Sequence, residues 1–177
     1  MTRLEHLRLM SRYNQWMNGR LYEAAGTLTH EQLVADRGAF FESIFGTLNH
    51  LVAGDTLWLK RFATHPAGFP LLDPVRALPK PASLDEWQAA DLAHLAERRR
   101  VLDGVIEAWV GALAEADIDH AFEYANTKGV VFRRNFFAVL MHFFNHQTHH
   151  RGQATTLLTQ AGVDVGVTDL LAVIPTV

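Results

Sequence analysis

Apolar residues recur at three- and four-residue steps along most of the chain, and the breaks in that rhythm divide it into four long helical segments. Thr2-Arg3-Leu4-Glu5 is a capping-box pattern, and Leu7, Met10, Tyr13, Met17, Leu21 and Ala24 then follow at helical spacing up to a stop at Gly26. Thr29 and Gln32 frame a single turn. A second helix is predicted from Ser43 to about Phe62, with Ile44, Leu48, Leu51, Asp55, Leu59 and Phe62 on one face. Residues 63–82 hold Pro66, Pro70, Pro74, Pro79 and Pro81, which predicts an irregular surface crossover. Ser83-Leu84-Asp85-Glu86 repeats the capping-box pattern and predicts a third helix to about Ala116, with Leu84, Trp87, Leu95, Leu102 and Trp109 inward. Residues 117–134 change period and predict a weak hairpin turning at Gly129. The fourth helix is expected from about Asn135 to Ala161, stopped by Gly162, with an apolar tail packing back.

Four helices, one long crossover and little strand content predict an all-α chain, a four-helix bundle occupying 1–177 as one domain. The proline-rich connection between the second and third helices favours a parallel crossover over a plain up-and-down arrangement. Composition leaves this picture intact. At 177 residues with 49% hydrophobic and 20% charged positions, the chain is of ordinary globular type. A net charge of −3 without a basic stripe argues against nucleic acid as a partner. The densest basic run, Arg98-Arg99-Arg100, reads as a solvated helix face. No stretch approaches the length of a membrane span, and the polar N-terminus lacks the apolar core of a signal peptide, so a cytoplasmic location is expected.

The chain has no cysteine, so any metal must be held by His, Asp or Glu. Four of the ten histidines, His142, His146, His149 and His150, crowd into the fourth helix within roughly a 100° arc. Histidines four apart on a helix can chelate one divalent ion, and His146 belongs to both such pairs, with His142 and with His150. Those two lie about 12 Å apart along the helix, too far to share one ion, and spacing does not choose between them. A third ligand must come from another helix. His50 is favoured by its flanking Gly46 and Gly54, which allow close approach, but it lies about 120° from the apolar face of its helix. Asp55 is the competitor, a carboxylate in the middle of that face. His6, His30, His65, His94 and His120 read as ordinary surface residues.

The run Asn145-His146-Gln147-Thr148-His149-His150-Arg151-Gly152-Gln153 resembles the C-terminal helix motif of the DinB (damage-inducible) family of metalloenzyme-like bundles, a family distinct from the lesion-bypass polymerase of the same name. GTLNHLVAGDTLWLKRF (46–62) and LLTQAG (157–162) look like its second helix and the end of its fourth, so the resemblance spans nearly the whole chain. It implies an up-down-down-up bundle, often homodimeric. It also implies a divalent metal, zinc first and nickel, manganese or iron as alternatives, held by His50, His146 and His150. His142 and His149 then fall to packing roles, and Asn145, Arg151 and Gln153 to supporting hydrogen bonds. Characterised relatives act on low-molecular-weight thiols. The resemblance therefore implies an enzyme activating a small thiol or water, or else a non-catalytic, stress-related metal-binding dimer.

Overall fold

The computed structural model of the chain describes residues 1–176. The chain is predominantly helical, with one small antiparallel sheet. Helix α1 spans Arg3–Ala25 and opens on Thr2, whose hydroxyl accepts from the Glu5 amide while Glu5 accepts from the Thr2 amide. The single turn α2, His30–Val34, is capped in the same reciprocal way by Thr29 and Gln32. Helix α3, Ile44–Phe62, is capped by Ser43. Helix α5, Leu92–Ala112, starts on Asp91, and α7, Phe136–Gln160, on Asn135. Helix α7 closes on Gly162 at φ 82°, where the Val163 amide reaches the Leu158 carbonyl, the glycine-terminated ending that a left-handed residue permits. Strands β1, Ala121–Ala125, and β2, Val131–Asn135, form the expected hairpin, turning at Gly129 with φ 79°.

Helix α1 packs on α5 and α7, and α3 packs on α7 and α5. The apolar core between them is aromatic at one end: Phe62 touches Trp109, Phe122, Phe136 and Phe143. Helix α3 lies deepest. Only Gly46, Trp58, Lys60 and Arg61 along its length are less than fully buried. A helix buried nearly all round has no single apolar face, and the wheel argument that counted against His50 assumed one.

Several expectations change for physical reasons. The Ser83–Glu86 pattern does not open a helix. The Glu86 carboxylate accepts from the Ala82 amide instead, Asn49 holds the backbone at Glu86 and Gln88, and the helix waits for Asp91. Leu84 and Trp87 are consequently exposed, at 40% and 57%. The proline-rich crossover is not wholly irregular. Pro70 and Pro74 stand in the first turns of a 3-10 segment, Pro70–Leu72, and of α4, Asp73–Ala77, where a missing amide hydrogen costs nothing. A further short helix, α6, spans Glu115–Ile118. Arg99 is not on a solvated face but 2% exposed, between Asp55 and Asp103. His65 is likewise buried, stacked on Phe69 and Phe136. The tail returns as expected: Val165 is buried, Arg20 donates to its carbonyl, and Tyr13 donates to that of Thr168.

Candidate metal centre

His50 on α3 and His146 and His150 on α7 bring their Nε2 atoms together. His50 Nε2 lies 3.2 Å from Nε2 of His146 and 3.2 Å from Nε2 of His150. Ligand nitrogens about 2.0–2.1 Å from a tetrahedral zinc stand about 3.3 Å from one another, so the spacing fits a single ion. Among the described residues these three form a group of potential ligand atoms all within 4.8 Å.

The outer nitrogens decide which tautomers the rings adopt. His50 Nδ1 is 3.2 Å from the Leu84 carbonyl oxygen, which can only accept, so Nδ1 carries the hydrogen and Nε2 presents a lone pair. His150 Nδ1 is 2.7 Å from Gln153 Oε1 and is oriented in the same way. Two lone pairs then face one another across 3.2 Å with no proton of their own between them, an arrangement a cation satisfies. Among the described residues His146 Nδ1 is buried without a partner, leaving its ring held by packing. Burial pushes the His50 imidazole down to about 4 and, with help from the neighbouring histidines, that of His146 down to about 3. Burial lowers His150 as well. All three rings are therefore neutral near pH 7, the form that binds metal.

Close approach of α3 to α7 depends on Gly54. A Cβ there would stand 3.1 Å from His146 Cε1. Gly46 has a different partner from the one expected: its would-be Cβ collides with the Phe41 carbonyl, so this glycine admits the preceding loop rather than another helix. That loop carries Phe41 over the site, its ring stacked on His50 at 3.8 Å between centroids and edge-on to His150 at 5.6 Å. Glu42 next to it holds a positive φ of 63°, rare for a residue with a side chain.

Beneath the histidines runs a closed ring of buried polar contacts. Gln147 donates to Asp55, Arg99 bridges Asp55 and Asp103, Asn14 donates to Asp103, and Arg151 donates to Asn14. The ring touches α7, α3, α5, α1 and α7 again. Its two ends on α7 are Gln147 and Arg151, each the next residue after a site histidine. The ring thereby sets the rotation of α7 that aims His146 and His150 at His50.

The structure brings His50, His146 and His150 together and turns Asp55 away, its carboxylate committed to Arg99 and Gln147. His142 and His149 are exposed neighbours of the group, His142 with its ring 6.1 Å from that of His146. Gln153 makes the expected supporting bond, whereas Arg151 supports α1 packing, and Asn145 is exposed. Phe41, the Leu84 carbonyl and the Arg99 bridge were not anticipated. Their signals are tertiary, arising only where the 38–43 loop, the 83–88 segment and α5 meet α3.

No solved structure matches the chain. A curated relative, "Protein DinB" of Bacillus subtilis (strain 168), is 26% identical over 158 residues, covering 89% of this chain and 87% of that protein. The model of the DinB family matches residues 1–175. With that match running almost end to end, the chain belongs to the DinB family.

Proposed function

We propose that the protein is a metal-dependent enzyme in which His50, His146 and His150 hold one divalent ion, zinc first among the alternatives, and that it acts on a small thiol or on water in the manner of a thiol S-transferase. The observation that carries this reading is the convergence of three Nε2 atoms at ion-sharing distance, two of them with Nδ1 tied to acceptors. A bound dication would supply Lewis acidity, lowering the pKa of a thiol or water so that it becomes nucleophilic near neutrality. Three neutral imidazoles subtract nothing from its charge. Three protein ligands also leave room for a substrate atom, the pattern of catalytic rather than structural zinc sites. Leu84 and Gln153 keep two rings in the ligating tautomer, and Phe41 shields the His50 and His150 rings from water.

The helix contacts support an up-down-down-up bundle. Arg8 meets Gly111 and Asn14 meets Asp103, so α1 opposes α5. His50 meets His150 and Phe62 meets Phe136, so α3 opposes α7. Asp55 meets Arg99 and Phe62 meets Trp109, so α3 and α5 run together across the crossover. Assembly as a homodimer and a part in the stress response belong to the same reading through family membership, and light scattering tests the first.

Element analysis of the purified protein, followed by thiol-transfer assays, tests the main proposal. About one divalent ion per chain is expected, lost in His146→Ala. Metal binding unchanged in that variant sinks the site. A chelator that collapses the melting temperature, with no turnover on any small thiol, would make the ion a structural one instead.

A further inference from the structure

Two turns beyond His50 and one beyond Gly54 along α3, and one turn before His146 along α7, lies a cavity of about 310 Å3 lined by Trp58, Tyr124, Arg134, Ala138, Val139 and His142. It adjoins the triad through His142, whose ring is 6.1 Å from that of His146 and 5.3 Å from Trp58. Its walls are flat and aromatic, with Trp58 and Tyr124 at 5.2 Å between centroids. One guanidinium, that of Arg134, is part of the lining, and a second, that of Arg61, lies against the two aromatic walls. Arg61 lies over Trp58 at 4.6 Å and Tyr124 at 5.8 Å, and Arg134 enters from β2 over Phe132 at 5.2 Å. Both are close enough to act on His142.

Among the described residues neither arginine is paired with a carboxylate. For exposed Arg134 that is unremarked in any protein. For Arg61 it is not, because its half-buried guanidinium lies on aromatic rings and has lost part of its hydration. The cavity has charge to neutralise, a planar fork to grip with and a surface to stack on.

We propose that this cavity is an oxyanion subsite, taking the carboxylate or phosphate end of a small molecule whose flat unsaturated body rests on Trp58 and Tyr124. Arg61 and Arg134 hold the anion, and His142 forms the wall shared with the histidine triad. The further statement that the other end of the same molecule reaches the triad rests on the metal-centre reading above. It makes the substrate class an unsaturated or aromatic acid, or its phosphate counterpart, rather than a neutral compound.

The test uses benzoate, phenyl phosphate and the neutral isostere benzamide as probes, titrated against the whole protein by ligand-detected NMR, once metal-loaded and once chelator-stripped. At least one anion should bind saturably in both states, with benzamide roughly tenfold weaker or undetected, and each of Arg61→Gln and Arg134→Gln should weaken it by roughly tenfold. The better of the two anions identifies the oxyanion. Arg134 sits on an exposed strand, so its variant keeps the test alive if Arg61→Gln misfolds. Benzamide binding as tightly as benzoate, or anion binding unaffected by Arg134→Gln, overturns the proposal. So does binding that vanishes on chelation, since the anion would then be sitting on the ion. Metal content measured on the same samples separates the two readings: a protein that holds its ion and ignores both anions refutes the subsite alone.

Discussion

Replacing Gly54 by alanine sets two effects against each other. The new Cβ would lie 3.1 Å from His146 Cε1 and 3.9 Å from Nδ1, so the ring must retreat by a few tenths of an ångström to restore ordinary contact. Metal–ligand bonds tolerate about 0.2 Å, so a shift of that size should weaken metal binding about tenfold or more, about 1.4 kcal/mol per factor of ten. Folding responds in the opposite direction. Alanine is favoured over glycine inside a helix by about 0.8–1.0 kcal/mol, and His146 Nδ1 has no hydrogen bond to lose when the ring moves. Metal-free Gly54→Ala should therefore be as stable as the parent or up to about 1 kcal/mol more so, a rise of about 2–4 °C in Tm for a chain of this size. Competition against a chromogenic chelator reads the affinity, and thermal unfolding of stripped protein reads the stability. Wild-type affinity would refute the reasoning. So would a stripped protein destabilised by more than about 1 kcal/mol, since the clash would then be borne by the backbone and not by the ring.

Three further outcomes follow from the buried ring and the outer contacts. Arg99→Met strips the counter-ion from two buried carboxylates and should cost about 3–5 kcal/mol in urea unfolding, whereas Arg100→Met, one residue on and exposed, should stay within about 0.5 kcal/mol; equal effects would contradict the buried bridge. Burial, with Asp55 nearby, pushes the Asp103 carboxyl up to about 6, so the native state holds that proton more tightly than the unfolded chain does, and this group's contribution is complete below about pH 4 and lost as pH rises through about 6. Asp103→Asn should flatten that segment of the stability profile, and an unchanged profile would dismiss the assignment. Gln153→Leu removes the acceptor that orients His150 and should lower metal affinity about 10- to 100-fold, measured by the same chelator competition, with little change in metal-free Tm.

What could be read from the sequence was mainly local. The caps at Thr2, Thr29, Ser43 and Asn135 and the turns at Gly129 and Gly162 are decided within a few residues, and they fall where expected. The Ser83–Glu86 pattern is equally local, but Asn49, more than thirty residues earlier, captures the backbone it would have used. Arg99 shows the same difficulty from the other side. Nothing in Arg98-Arg99-Arg100 distinguishes the middle residue until α3 supplies Asp55. Spacing placed His146 in the site. It could not choose His150 over His142, because that choice depends on where His50 arrives, and His50 was itself discounted by assuming that α3 buries only one face. The resemblance of 145–153 and 46–62 to a known family supplied what helical geometry left open.

The segment Leu84–Gln88 has no regular structure and is exposed as far as Trp87, yet it is fastened to α3 at three points: the Leu84 carbonyl on His50, and Glu86 and Gln88 on Asn49. The long connection between α4 and α5 is thus two kinds of chain. Pro79 and Lys80 are exposed, whereas Pro81 is buried and the Ala82 amide is held by Glu86, so the chain at 79–80 can be lengthened, cut or fused to another protein with only a small loop-closure cost. From Leu84 onward the backbone belongs to the histidine site. An engineer seeking new chain ends, or lineages drifting in loop length, would find freedom just before Pro81 and little of it beyond.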